Sequence, residues 1–477
     1  MIKQLPVTRL LAVLLAGTCS TPEADAFPSG SDTSRSAIHQ PGDSLSGAGR
    51  FLRSGHLSVR GRLYWMNTNN RQGLSDYYAL GMGAGVGYRT ARLVKHIELG
   101  GSVFFSKNLF SSNLAALDPA TGLGNRYEAG LFNVQDPASR AVLSRLEELY
   151  ATYQFGRKSR VVLGRQLPHS PFLNPADGRL SPTFVEGLIA EWKESDNTQI
   201  QVEYLTRIAP RSTIGWYGVG ESIGLYPVGI DVTGKPAQYG GNTRSASVIQ
   251  VGVTQKAGHA TLQLWDTRVQ NVFNLLYARA DLVWPTAEQR QWTAGVQVAR
   301  QWTIGNGGNP DPAKAYAPPG NRSLVLSGRV GYQTPRWAAY ANATRITAEG
   351  RFLFPREWGR EPFYTFLMRE RNEGFGDLTA VSANVFFTPT PRLKIETSLG
   401  LYGLPDVKNY ALNKYGMPAY RQINLNLTYR LKGSLSGFDT QVLLVHKGAV
   451  GTTYDNDRYV LNKVDMNQLY VILNYKL

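Results

Sequence analysis

Residues 468–477 read QLYVILNYKL, and this stretch decides the fold. Leu469, Val471, Leu473, Tyr475 and Leu477 fall on one face. Gln468, Tyr470, Asn474 and Lys476 take the other, with Ile472 the one apolar exception. A period of two describes an extended strand, and about ten residues tilted near 45° cross the hydrocarbon core of a bilayer. The stretch therefore reads as a membrane-crossing strand.

The same period recurs upstream. Ile423, Leu425, Leu427, Tyr429 and Leu431 share a face, as do Leu393, Ile395, Leu399 and Leu401, and Leu57, Val59, Leu63 and Trp65. In 77–88 the large residues Tyr78, Leu80, Met82, Val86 and Tyr88 face away from Gly81, Gly83, Gly85 and Gly87. The string GMGAGVG at 81–87 invites a phosphate-loop reading, but no helix follows it; a closely approached wall accounts for it better. About eighteen such strands are predicted, an even number as in single-chain bacterial barrels.

The connections sort by length. Short turns near 89–95, 156–159, 193–197, 255–258, 333–335, 388–391 and 432–436 alternate with long loops near 107–144, 166–182, 207–246, 303–322, 347–377, 403–418 and 448–467. Short periplasmic turns and long extracellular loops distinguish a membrane barrel from a soluble sandwich. The fold class expected is all-β: a transmembrane antiparallel β-barrel.

Composition agrees. The mean hydropathy is slightly negative, and no apolar run reaches the 18 or so residues of a helical span. Tyr (25) and Trp (9) are abundant, which suits interfacial girdles. The net charge of +16 comes without a block of five or six basic residues, so it points to an anion-attracting lumen rather than to nucleic acid. The six histidines show no His-x-x-x-His spacing, so no metal site is expected.

Lys3 and Arg9, the short apolar block Leu10 to Ala16 and the Ala24-Asp25-Ala26 site form a secretory signal over 1–26, cut after Ala26. Thr18 before Cys19 argues against lipidation, and cleavage leaves no cysteine. Residues 27–50, rich in Ser, Gly, Asp and Pro, read as a disordered periplasmic N-terminal segment. The barrel domain spans 51–477.

Residues 160–188 read RVVLGRQLPHSPFLNPADGRLSPTFVEGL. This segment resembles the strand–loop–strand of the OprD family of outer-membrane porins, at Gly164, Pro168, Pro171, Arg179, Leu180, Pro182, Phe184 and Gly187. Arg62, Tyr64, Trp65 and Asn67 match the family's early strand, and Val471, Leu473, Asn474, Tyr475 and Leu477 its closing one. The resemblance implies a porin integral to a Gram-negative outer membrane. Its partners are outer-membrane lipid, lipopolysaccharide and small solutes. It has no cofactor and no enzymatic activity, and is a monomer, with a trimer left open.

The resemblance further implies that the loop 166–182 folds inward and that Arg and Lys form a ladder drawing carboxylates through. Candidates opposite the lipid face are Arg60, Arg62, Arg279, Arg329, Arg430 and Lys447. Arg62 is favoured as a rung, because no acid is near it in sequence. Lys394 is set aside, since Glu396 on the same face is placed to neutralise it. Gln441 and Leu443 thin the ladder where the family's is dense. In the inward loop Asp177 and Arg179 are constriction candidates, against a reading of Asp177-Gly178 as a turn signal. In 347–377 Arg356 and Arg360 are further candidates, against a solvated, salt-bridged loop.

Two rival functions remain. An oligosaccharide porin would stack sugars on inward aromatics such as Tyr64, Tyr150, Trp265, Tyr277 and Tyr470. A barrel protease or phospholipase would need a nucleophile and acid beside His96, His169, His259 or His446, and no such cluster is visible.

Overall fold

Alternating side chains put one face of each strand in lipid and the other in the lumen, and the wall follows from closing such strands into a ring. The structure is a computed structural model that describes residues 54–92, 96–176, 178–286 and 289–477. The signal segment, Cys19, the segment 27–50 and Asp177 lie outside the described residues.

The strands are β1 (His56–Asn69), β2 (Tyr77–Arg89), β3 (Ile97–Ser111), β4 (Leu143–Phe155), β5 (Ser159–Gln166) and β6 (Phe184–Trp192). Then come β7 (Thr198–Ala209), β8 (Tyr217–Gly218), β9 (Val248–Ala257), β10 (Ala260–Val269), β11 (Phe273–Pro285) and β12 (Gln291–Thr303). The last are β13 (Arg322–Gln333), β14 (Trp337–Ile346), β15 (Leu378–Thr390), β16 (Leu393–Gly403), β17 (Tyr420–Arg430), β18 (Phe438–Ala449) and β19 (Met466–Lys476).

All pair antiparallel with their neighbours, and β1 pairs with β19 from Arg60↔Lys476 to Asn69↔Asn467. The two-residue β8 only extends β7 at its end, while β7 pairs directly with β9. The 19-stranded sheet less β8 therefore leaves eighteen staves. Closure is required because lipid offers no partner to an unpaired strand edge.

One rim carries short turns such as 156–158, 258–259 and 334–336; the other carries 112–142, 167–183, 210–247, 304–321 and 347–377. The alternation is looser than the sequence implies, because the outer connections 70–76 and 270–272 are also short. Asn70 closes the first by donating from Nδ2 to the Ser75 carbonyl (2.8 Å) and from its N–H to Asp76 (2.8 Å). Asn271 turns the second at φ +61°. The long-loop rim is the extracellular one.

Outward positions such as Leu264, Val296 and Leu399 are more than half exposed and form the lipid-facing band. At the turn rim Trp292, Tyr332 and Trp337 stack in sequence, with ring centroids 4.9 Å and 5.7 Å apart. Trp65, Tyr78 and Phe110 cluster towards the loop rim. Such rings suit the headgroup level on both sides.

Much of the apolar core lies inside the barrel, where long loops fold in. Ile472, the exception in the opening pattern, is 5% exposed and packs in the lumen with Leu443, Val445, Tyr470, Phe132 and Leu180.

Candidate functional site

Residues 347–377 alternate aromatic and charged groups, and the structure buries both kinds. Phe352, Phe354, Trp358 and Phe363 sit at 4% exposure or less. Phe172, from the inward loop 167–183, packs against Phe352, Phe354 and Phe363 at ring separations of 5.4–5.9 Å. Asn174 donates to the Arg360 carbonyl (2.8 Å) and accepts the Arg360 N–H (3.1 Å). Thr183 donates to the Glu357 carbonyl (2.8 Å), and Trp358 donates to Ser222 (2.8 Å). Residues 347–377 are thus a buried plug. The reading of this loop as solvated and salt-bridged is corrected: its central charges pair inside the barrel, and among the described residues only Glu349 and Asp377 at its ends form exposed pairs, with Arg300 and Arg345.

The pairing is dense. Glu370, 3% exposed, faces Lys447 at 2.7 Å, Arg126 at 3.3 Å and Arg356 at 3.8 Å. Glu373 accepts from Arg356 (2.7 Å) and from the Tyr415 hydroxyl (2.8 Å), and pairs with Lys414 (3.4 Å). Burial, the largest influence on the Glu370 carboxyl, pushes upward, yet Lys447, Arg126 and Arg356 together hold it down to about 2. Glu361 differs. Burial pushes it up to about 7, against the Asn372 N–H that it accepts and the Arg371 charge.

The ladder candidates scatter across these environments. Arg60 lies on the inner wall, ion-paired to Glu147 and stacked over Phe104 at 4.8 Å. Arg62, also inward, donates to Asn474 (2.6 Å) and to the Arg179 carbonyl. Arg279 pairs with Asp281 at 2.5 Å. Arg329 donates to Asn342 (2.7 Å) and lies 4.6 Å from the rings of both Tyr340 and Tyr364. Among the described residues it makes no ion pair. Arg430 is exposed at the turn rim, opposite Asp439 in register. Lys447 is 1% exposed, clasped to Glu370 and 4.0 Å from the Tyr420 ring.

Arg179 takes a left-handed φ of +46° and contacts Met66 Sδ. Arg356 lies in the ion network, and Arg360 stacks on Phe366 at 4.6 Å. The expected Lys394–Glu396 pairing does not form: Lys394 lies 5.1 Å from the Phe386 ring and Glu396 accepts from Asn426 (3.3 Å). Arg145 and Glu147, which the sequence reading passed over, anchor Arg60's wall. Arg145 donates to the carbonyls of Pro210 (3.0 Å) and Pro182 (2.8 Å). Two charged residues at i and i+2 in a strand were the available signal.

The glycine lane of β2 gives this arrangement its room. A methyl on Gly81 would lie 2.9 Å from both Leu180 and Phe132, one on Gly83 would strike the Phe104 ring, and one on Gly85 would lie 2.8 Å from Arg60 Nε. Gly83→Leu is therefore expected to destabilise the folded barrel by about 1–3 kcal/mol, read as a lower urea midpoint. Ala84→Leu, one residue away on the lipid face, is expected to leave the midpoint unchanged.

Between the wall and both inward loops lies a cavity of about 380 Å³. Its lining includes Gln201, Trp265, Tyr277, Arg279, Arg360 and Glu361. It offers two guanidinium groups, amides and ring faces at one place, a set able to orient a small polar solute. Glu361 brings a single opposing carboxylate from the plug.

The model for the outer membrane porin, OprD family, matches residues 136–316. No curated protein sequence matches the chain. Among solved structures, OpdK of Pseudomonas aeruginosa with vanillate superposes at a TM-score of 0.69 and 15% identity, over 90% of this chain and 99% of that one. OccK9 (OpdG) of the same organism gives 0.70 and 14%, and OccK8 (OprE) 0.69 and 14%, each over the same shares. Over residues 136–316 the chain is similar to the OprD family of outer-membrane porins, and its closed barrel shares the fold of their solved members.

Proposed function

We propose that the chain passes small carboxylate-bearing solutes by passive diffusion, through the cavity under the plug. The observation that carries this reading is the clustering of Arg279 and Arg360 around that cavity, with Arg329 sharing the Tyr364 ring with Arg279. A guanidinium offers a planar fork matched to a carboxylate. Weak contacts at several such groups replace part of a solute's hydration without trapping it. Vanillate, held by the solved OpdK, is a carboxylate, a chemistry suited to the Arg279 guanidinium on the cavity wall.

The oligosaccharide reading finds less support. Tyr64, Tyr277 and Tyr470 are at most 2% exposed, so they present no continuous stacking surface. The basic ladder remains part of the proposal, weighted towards Arg329 and, because it lines the cavity although Asp281 pairs with it, towards Arg279. Arg60 is neutralised by Glu147 and Lys447 by Glu370.

The test is a reversal potential across a KCl gradient in a planar bilayer. Anion preference is expected, with block by added aromatic carboxylates. Arg279→Gln with Arg329→Gln should reduce the anion preference roughly fivefold, since a charge about 4 Å from a passing ion in a wet lumen is worth about 1 kcal/mol. Cation preference in the unaltered protein, or block by neutral sugars alone, overturns the proposal.

A further inference from the structure

Outward cations on the staves are distributed unevenly. On β10, β12, β13 and β14 the lipid-facing positions at the extracellular ends are Arg268, Arg300, Arg322 and Arg345. At the periplasmic ends of this arc, where β11, β12, β13 and β14 begin or stop, the outward residues are Trp284, Trp292, Tyr332 and Trp337, with no cation among them. Between the two rims lie exposed Leu264, Leu276, Val296, Val298, Leu326 and Val330. Exposed Arg290 and Arg336 lie in the periplasmic turns beyond the strands, so the one-sided placement is that of the strand cations.

The arginines are also neighbours. Arg268 stands opposite Asn274, Asn274 opposite Trp302, and Trp302 opposite Arg322, so one row crosses four staves. Arg300 lies two residues below Trp302 on the same face, and Arg345 stands opposite Leu326. Arg300 pairs with Glu349 at 2.8 Å and Arg345 with Asp377. Asp266, the acid on β10, accepts from Asn274 at 2.6 Å. Among the described residues Arg268 and Arg322 make no ion pair, and both are exposed.

We propose that this arc binds the phosphorylated head group of an outer-leaflet glycolipid, with Arg268 and Arg322 on its phosphates and the apolar staves below taking its acyl chains. The argument rests on charge and level. The cations sit just beyond the apolar band, where head groups lie, and on the leaflet side marked by the long loops. All four are arginine, whose fork grips phosphate oxygens in pairs. Trp302, between the two unpaired arginines, suits the same interfacial depth. A free anion in water would have no use for the acyl-length band beneath, and two copies of this chain meeting here would bring like charges together.

The full chain in detergent is examined by native mass spectrometry with a bisphosphorylated lipid A, its dephosphorylated form, and inorganic phosphate as competitor. Stoichiometric adducts are expected with the phosphorylated lipid, at least tenfold fewer with the dephosphorylated one, and no competition from millimolar phosphate. R268Q/R322Q should weaken the adducts about tenfold or more, and R268K/R322K should recover part of the loss. Unchanged single-channel conductance in both variants establishes that the barrel is intact. Equal binding of the dephosphorylated lipid, equal binding by R268Q/R322Q, displacement by free phosphate, or cross-links placing a second copy on this arc would each overturn the proposal.

Discussion

Replacing Glu370 by glutamine is expected to release residues 347–377 from the lumen and raise single-channel conductance several-fold. The carboxylate is the shared partner of Lys447, Arg126 and Arg356, and Lys447 is 1% exposed. An amide cannot balance those charges, and removing one member of a buried pair costs about 3–5 kcal/mol. The loss falls on the docking of the plug rather than on the wall, whose strands keep all their pairings. E370Q/K447M should restore most of the closed conductance, because removing both partners leaves no orphaned charge. E349Q removes only the exposed pair with Arg300, where an effect of about 0–1 kcal/mol is expected. Unaltered conductance and noise in E370Q would show that the ion network does not hold the plug.

Acidity should tighten the same plug through Glu361. Its carboxyl is 4% exposed and accepts the N–H groups of Asn372 (2.5 Å) and Glu373 (3.0 Å). Burial has raised it to about 7, whereas an undocked loop would return it to about 4.3. Between those values the docked state holds the proton more readily. Docking is therefore strongest below about pH 4.3 as far as Glu361 is concerned, and weakens as pH rises through 7, by about 4 kcal/mol in all. Glu370 has the opposite sign: held at about 2, it supports docking above its undocked value and loses that support as pH falls towards 2. Open events should therefore become more frequent between pH 5 and pH 8 in bilayer recordings. Glu361→Gln should flatten that dependence, and a slope that persists in this variant would assign it to another group.

The wall was legible because strand alternation is local. Each residue from Leu469 to Leu477 declares its face through neighbours two positions away, and the eighteen staves repeat that signal. Ile472 looked irregular only because its partners Leu443 and Leu180 come from other segments. The glycine lane was legible as a closely approached surface, but not that Phe104, Leu180 and Arg60 do the approaching.

Charge pairing divides along the same line. Arg279 and Asp281, two apart on one face, pair as a local reading would allow. Lys394 and Glu396 have the same spacing and do not, because Phe386 on the adjacent strand draws the ammonium away. Arg62 appeared to have no nearby partner, yet Asn474, on the far side of the barrel seam, accepts from it. Glu147 meets Arg60, and Glu370 meets Lys447, across 87 and 77 residues. The sequence by itself determined the barrel, the faces of its strands and which loops are long, since period and turn chemistry act over a few residues. Only the tertiary structure decided which cations stay open to a solute, because neutralisation depends on the strands and loops that closure brings within a few ångströms.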